Sequence, residues 1–134
     1  PAIAEYIIDL LREAGLKTKA KADFNPIRKV VRLRELSLEE KAKVIQGNPA
    51  YGNIVCRCEQ VSEAEIREAI RRGASTVDGV KFRTRAGMGR CQGGFCTPQI
   101  IEILREELRL KPEKVMKKTA NSPFIAGTLR NKGD

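Results

Sequence analysis

Cys56-x-Cys58 and Cys91-x-x-x-x-Cys96, thirty-two residues apart, hold all four cysteines of a 134-residue chain that contains no histidine. All its soft metal-ligand capacity therefore sits in two tight clusters. Four thiolates without an imidazole fit a tetrathiolate site, the chemistry of an iron–sulfur cluster or a structural zinc ion. The choice decides function, because an iron–sulfur centre carries electrons and zinc does not.

Spacing and charge favour iron–sulfur. Structural zinc usually takes its paired ligands from Cys-x2-4-Cys knuckles, whereas here one residue separates the first pair and four the second. Residues i and i+2 of a strand share a face, so Cys56 and Cys58 can converge on one site from a strand end or turn. The second pair lies in Gly87-Met-Gly-Arg-Cys-Gln-Gly-Gly-Phe-Cys96. Gly89, Gly93 and Gly94 allow the backbone to approach a bound group closely and to turn N–H donors toward its sulfurs. A thiolate-bound two-iron cluster carries a formal charge of about −2 when oxidised. Arg57, Arg83, Arg85 and Arg90 lie beside the ligands in sequence and could compensate it or meet a partner; an ordinary exposed arginine is the plain alternative. Met88 and Phe95 either shield the centre or anchor its loop. A zinc-stabilised interaction module remains the alternative reading of the same cysteines, and a disulfide or free-thiol reading is weaker still. Cys56 and Cys58 are too close for a comfortable mutual bridge, and the N-terminus lacks the basic and apolar regions of a secretory signal.

The elements that must position these residues are mostly helical. Aromatic residues make up 4% of the chain and tryptophan is absent, so the core must come from Ile, Leu, Val and Ala. Residues 2–14 read as an amphipathic helix, with Ile3, Ile7, Leu10, Leu11 and Ala14 on one face and Gly15 stopping it. The alternating stretch Ile27–Arg34 predicts a strand or extended arm with one face buried. Ser37 with Glu40, and Ser62 with Glu65, have capping-box spacing and open helices ending near Gln46 and Gly73. Tyr51–Cys58 reads as a turn or short strand. Ser75 is expected to cap a short helix to about Arg83, with Val77, Val80 and Phe82 partly buried. Thr97-Pro98 predicts the N-cap and first residue of a helix running to about Leu110, with Ile100, Ile101, Leu104 and Leu108 inward. Two helix N-termini, one after Cys58 and one after Cys96, are then expected near one anionic site. The fold class is mainly α: a small helical metal-binding domain with ligands in inter-helix loops, plus an N-terminal helix and extended arm. The expected division is 1–50 (helix and linker), 51–110 (metal-binding domain) and 111–134 (basic tail, extended, wrapped on a neighbour or partly disordered).

Net charge is +9, but the cations are interleaved with acids along solvated helix faces, so no nucleic-acid partner is expected. No apolar run approaches the roughly 18 residues that span a membrane. The expected location is cytoplasmic, with any contact to the inner membrane made through a partner.

Ile54-Val-Cys-Arg-Cys-Glu-Gln-Val-Ser-Glu-Ala-Glu-Ile66 and Arg83-Thr-Arg-Ala-Gly-Met-Gly-Arg-Cys-Gln-Gly-Gly-Phe-Cys96 resemble the [2Fe-2S] domain of the bacterioferritin-associated-ferredoxin type. The resemblance is greatest to the version at the C-terminus of FAD-dependent anaerobic glycerol-3-phosphate dehydrogenases and related oxidoreductases. Small ferredoxins of this family have a shorter last ligand spacing. The resemblance implies that Cys56, Cys58, Cys91 and Cys96 are the four cluster ligands. Pro1–Leu11 is similar to the final helix of an FAD-binding oxidoreductase domain. The implied function is an electron-transfer module taking single electrons from a flavin to an acceptor. The flavin would lie in the remainder of a longer enzyme, since the chain carries no dinucleotide-binding glycine fingerprint. Its implied partners are a downstream acceptor and an FAD-binding domain or subunit. The chain alone is expected to have no catalytic residue. A stand-alone ferredoxin or metallochaperone is the further alternative.

Overall fold

The computed structural model describes residues 2–27 and 29–127, which fall into two compact units, up to Val30 and from Val31 onward. The first unit is built on helix α1 (Ala2–Glu13), none of whose residues is buried. Its end follows the sequence closely. Gly15 adopts φ +93°, its N–H donates to the Arg12 carbonyl, and the Leu16 N–H reaches back to the Leu11 carbonyl. Those bonds satisfy carbonyls that the helix would otherwise leave open.

In the second unit Leu33–Glu35 forms a single 3-10 turn, followed by α2 (Leu38–Gly47), a 3-10 turn at Pro49–Tyr51, strands β1 (Ile54–Cys56) and β2 (Val61–Ser62), and helices α3 (Glu63–Arg71), α4 (Val77–Thr84) and α5 (Thr97–Leu108). The protein is thus mainly α, with one two-stranded antiparallel hairpin pairing Ile54 with Ser62 and Cys56 with Val61. Helices α3, α4 and α5 pack on one another. Ile66 and Ile70 of α3, Val80 of α4, and Ile100 and Leu104 of α5 meet in one buried core, which Val115 joins from beyond α5. Each such aliphatic side chain, fully removed from water, contributes about 1.5–3 kcal/mol.

Both capping boxes form as spaced. Ser37 accepts from the Glu40 N–H while the Glu40 carboxylate accepts from the Ser37 N–H. Ser62 and Glu65 do the same at α3. Elsewhere the sequence expectations need correction. The cap of α4 is Thr76, not Ser75, because the Thr76 hydroxyl stands at the right spacing to accept the Gly79 N–H at 3.0 Å. Phe82 is 65% exposed rather than partly buried; two positions beyond Val80 it turns away from the core, and Lys81 lies over its ring. Helix α5 begins one residue early: Cys96 occupies the cap position, without a side-chain cap bond, and Thr97 and Pro98 are the first two helical residues. Its inward face includes Ile103, while Leu108 is only half-buried. The Ile27–Arg34 stretch is not a strand. Ile27 and Val30 are exposed, and its buried apolar residue is Leu33; Arg28 lies outside the described residues.

The chain beyond α5 packs back on the core. The Val77 and Asp78 N–H groups at the start of α4 donate to the Met116 and Lys117 carbonyls. Lys117 pairs with the buried Asp78 at 3.1 Å, and Val115 is fully buried. Among the described residues no helix is long and apolar enough to cross a membrane.

Candidate metal centre

The hairpin and the loop before α5 bring all four cysteines to one place. Cys56 ends β1, and Cys58 lies in the turn to β2, a turn tight enough to hold Gln60 at φ +52°. Cys91 follows the glycine loop, and Cys96 stands at the start of α5. Together they line one cavity of about 560 Å³, with Ile54, Val55, Arg57, Arg90, Phe95 and Gln99 completing its wall. Cys58 Sγ and Cys91 Sγ are 3.5 Å apart. Cys56 and Cys96 are each 1% exposed, whereas Cys58 is exposed and Cys91 half-buried. The site therefore has an inner and an outer pair of sulfurs, each pair drawing one cysteine from each sequence cluster.

The environment treats the pairs differently. The Phe95 N–H holds the Cys91 thiol below its ordinary range, helped by the Cys58 thiol and the N–H groups of Gly93 and Gly94. Burial pushes the Cys96 thiol up to about 12, and the neighbouring Cys56 sulfur adds to the effect. Any metal bound here must displace that inner proton, whereas the outer Cys91 thiol gives up its proton more readily than an ordinary cysteine.

The predicted glycines sit where the backbone crowds. A Cβ on Gly89 would stand 2.5 Å from the Cys58 Cβ and 3.0 Å from its Sγ. Gly93 adopts φ +87°, and a Cβ there would lie 2.6 Å from the Thr97 hydroxyl. A Cβ on Gly94 would meet the Cys91 carbonyl at 3.2 Å. The four candidate arginines divide. Arg57 and Arg90 line the cavity. Arg83 instead lies back along α4, donating to the Gly79 carbonyl, and Arg85 pairs with Glu59. Phe95 lines the cavity while remaining 84% exposed. Met88 is half-buried in the glycine loop and is not part of the cavity wall. Of the two expected helix N-termini, only that of α5 adjoins a cysteine directly. The first amides of α3 are already taken, Glu63 N–H by the Asn53 carbonyl and Glu65 N–H by Ser62.

Three contributors escaped the sequence reading. Gln99 lines the cavity from the first turn of α5. Gln92 clamps the glycine loop by donating to the Gly89 carbonyl at 2.9 Å. Glu59 ties the first ligand turn to Arg34 and Arg85. Glu59 stands next to Cys58 and Gln92 next to Cys91, so adjacency to a ligand was the available signal; Gln99 gave none.

The family of BFD-like [2Fe-2S] binding domains matches residues 54–106, a stretch that contains all four cysteines. Residues 54–106 are a BFD-like [2Fe-2S] binding domain. The chain that carries the [2Fe-2S] domain is 45% identical over 134 residues to a glycerol 3-phosphate dehydrogenase of Caloramator mitchellensis, covering 98% of this chain and 28% of the relative. It is 39% identical over 70 residues to an opine oxidase component of Rhizobium meliloti, covering 52% of this chain and 13% of the relative. It is 46% identical over 52 residues to the hydrogen cyanide synthase component HcnB of Pseudomonas aeruginosa, covering 39% of this chain and 11% of the relative. The chain thus spans little more than a quarter of the first relative and about a tenth of the others. No solved structure matches it.

The donor set fits the group the family name implies. Four thiols and, among the described residues, no carboxylate line the cavity of the [2Fe-2S] domain. No three described acidic or cysteine side chains are grouped closely enough to hold a single metal ion. A [2Fe-2S] cluster takes four thiolate ligands, and four thiols are what this cavity presents.

Proposed function

We propose that Cys56, Cys58, Cys91 and Cys96 hold a [2Fe-2S] cluster that relays single electrons, and that the chain serves as the cluster-bearing part of an FAD-dependent oxidoreductase resembling glycerol-3-phosphate dehydrogenase. The observation that carries the reading is the meeting of all four cysteines around one cavity within the [2Fe-2S] domain. When bound, the cluster would supply one-electron chemistry. A hydride from a substrate delivers two electrons to a flavin, and a one-electron centre would pass them on singly. Substrate chemistry would belong to the flavin-binding remainder of the enzyme, and electrons would leave for a partner or a quinone pool. Identity with the Caloramator protein extends across 98% of this chain, well beyond the cluster domain. That extent supports reading α1 as part of a larger oxidoreductase. Within the chain, the loop amides facing Cys91 and the guanidiniums of Arg57 and Arg90 at the cavity supply positive potential for an anionic centre.

The test is anaerobic purification with iron, sulfide and zinc analysis, a visible spectrum, and EPR after dithionite. Two irons and two sulfides per chain with an S = 1/2 signal on reduction are expected, and Cys91→Ser should lose or strongly weaken the chromophore. Colourless protein with stoichiometric zinc, unchanged by iron and sulfide reconstitution, would end the relay reading and leave a zinc-stabilised module.

A further inference from the structure

Glu59 follows Cys58 directly, and its carboxylate enters a small ionic node. Its Oε2 accepts from Arg85 Nε at 2.9 Å and from Arg34 Nη1 at 3.2 Å. The Glu59 side chain is only 14% exposed, so this pairing is sheltered more than an ordinary surface ion pair. Each partner belongs to a different segment. Arg34 lies in the 3-10 turn before α2, and Arg85 is the residue at which α4 ends. Glu59 therefore fastens the first ligand turn to the segment that leads into the second ligand loop. The same side chain borders that loop closely enough that a Cβ added at Gly89 would meet the Glu59 Cγ at 3.5 Å, beside the Cys58 Cβ at 2.5 Å.

The backbone at Arg85 strengthens the case. It closes α4 in the left-handed region at φ +70°, where glycine sits without strain and an L side chain does not. The position carries an arginine, and its side chain spans to Glu59. A strained residue held where glycine would be easier argues for a task performed by the side chain.

We propose that Glu59, braced by Arg34 and Arg85, is a positioning residue for the [2Fe-2S] centre: it sets the approach of Cys58 to the Gly89–Cys91 loop and balances charge beside the outer thiols. The inference rests on the cluster reading above. One carboxylate and two guanidiniums leave the node with a net positive charge, part of it shared with Glu35 at 3.9 Å from Arg34. A reduction potential depends on the net charge around a cluster. Removing the Glu59 charge should therefore raise the potential, because the added electron meets one fewer anion. Removing the Arg85 charge should lower it. Loss of either partner should also loosen the outer pair of sulfurs.

The experiment compares the full-length wild type with Glu59→Gln, Arg85→Gln and Arg85→Gly, after anaerobic reconstitution. Potentials are taken from EPR-monitored redox titration and cluster half-lives from a challenge with EDTA. Glu59→Gln and the Arg85 variants should shift the reduction equilibrium in opposite directions by two- to tenfold, about 20–60 mV at 59 mV per tenfold for one electron. All three should shorten the half-life. Arg85→Gly separates backbone from side chain, since glycine relieves the left-handed strain and yet removes the brace. Potentials that move together, or half-lives that stay at the wild-type value, would overturn the proposal. A wild type that takes up no iron–sulfur cluster would overturn it together with the relay reading, and that result is visible before any variant is compared.

Discussion

Gly89→Ala is the sharpest test of how the two ligand loops meet. The added methyl would stand 2.5 Å from the Cys58 Cβ and 3.0 Å from its sulfur. Ordinary carbon–carbon contact is about 3.5–4.0 Å, so the loops must separate by roughly 1 Å at the point where Cys58 faces Cys91. The obstacle is a Cβ fixed to the backbone and not the far end of a flexible chain, so it cannot swing aside. Gly89 also lies outside the left-handed region, so the effect is steric and separable from backbone strain. Overpacking of this kind costs about 1–3 kcal/mol, which corresponds to roughly 5- to 150-fold in an equilibrium constant. The expected result is a cluster that forms but is lost to a chelator 5- to 150-fold more readily, followed by the decay of visible absorption in EDTA. Gly47→Ala is the control. Gly47 ends α2 with nothing within 4 Å of its Cβ position, and alanine there should leave the cluster untouched while adding up to about 1 kcal/mol of helix stability. Equal chelator half-lives for Gly89→Ala and wild type would refute the close approach.

Arg67 joins α3 to α5 by pairing with Glu63, Glu106 and Glu107 at 2.6–2.8 Å while its side chain is 25% exposed; Arg67→Met should cost about 1–2 kcal/mol after allowance for solvent screening, read as a fall of several degrees in Tm. Glu63 is held below its ordinary value of 4.5, first by the Asn53 amide and then by Arg67. A depressed carboxylate contributes stability above its unfolded pKa and loses it as pH falls through the folded value. Glu63→Gln should therefore lower Tm at pH 7, with the difference from wild type vanishing in acid well below pH 4.5. Truncation after Leu110 removes the fully buried Val115 and strips the Val77 and Asp78 N–H groups of their carbonyl partners. The loss should reach several kcal/mol, since burial of one valine contributes about 1.5–3 kcal/mol and each of the two lost hydrogen bonds about 0.5–1.5 kcal/mol, and thermal unfolding should show it.

What the sequence made legible was short-range. Ser37 with Glu40, Ser62 with Glu65, and Gly15 behind α1 all act within three or four residues, so their spacing alone located helix ends. Cysteines and glycines advertised the site by type. The misreadings came where neighbours distant in the chain decide. Ser75 and Thr76 are chemically similar caps, and only the hydroxyl spacing to Gly79 separates them. Hydrophobicity predicts a partly buried Phe82, but α4 turns Val77 and Val80 to the core and leaves Phe82 65% exposed. Alternation in Ile27–Arg34 predicts a strand or extended arm with one face buried, but the segment has no ladder partner and buries Leu33 alone among its described residues. Glu59 meets Arg34 and Arg85 at separations of 25 and 26 residues, beyond the reach of local pattern. Gly89 could be recognised as a close approach, whereas the atom it approaches could not.

The asymmetry of the thiols gives the site a direction. Cys56 and Cys96 lie 1% exposed among Val55, Val61 and Ile100 of the core, so the inner half of the site is continuous with the packing that holds α3 and α5 together. Cys58 and Cys91 stand at the rim beside Arg57, Arg90 and Phe95. On the cluster proposal the inner pair would couple metal binding to folding, because without the metal two sulfurs, one with its pKa pushed up to about 12, are left inside an apolar wall. The outer pair couples the site to whatever approaches the surface. On the relay reading, electrons enter and leave by the outer edge, where the thiolate is stabilised by loop amides and the nearby side chains are cationic or aromatic. Rigidity on one side and access on the other is what a one-electron centre needs.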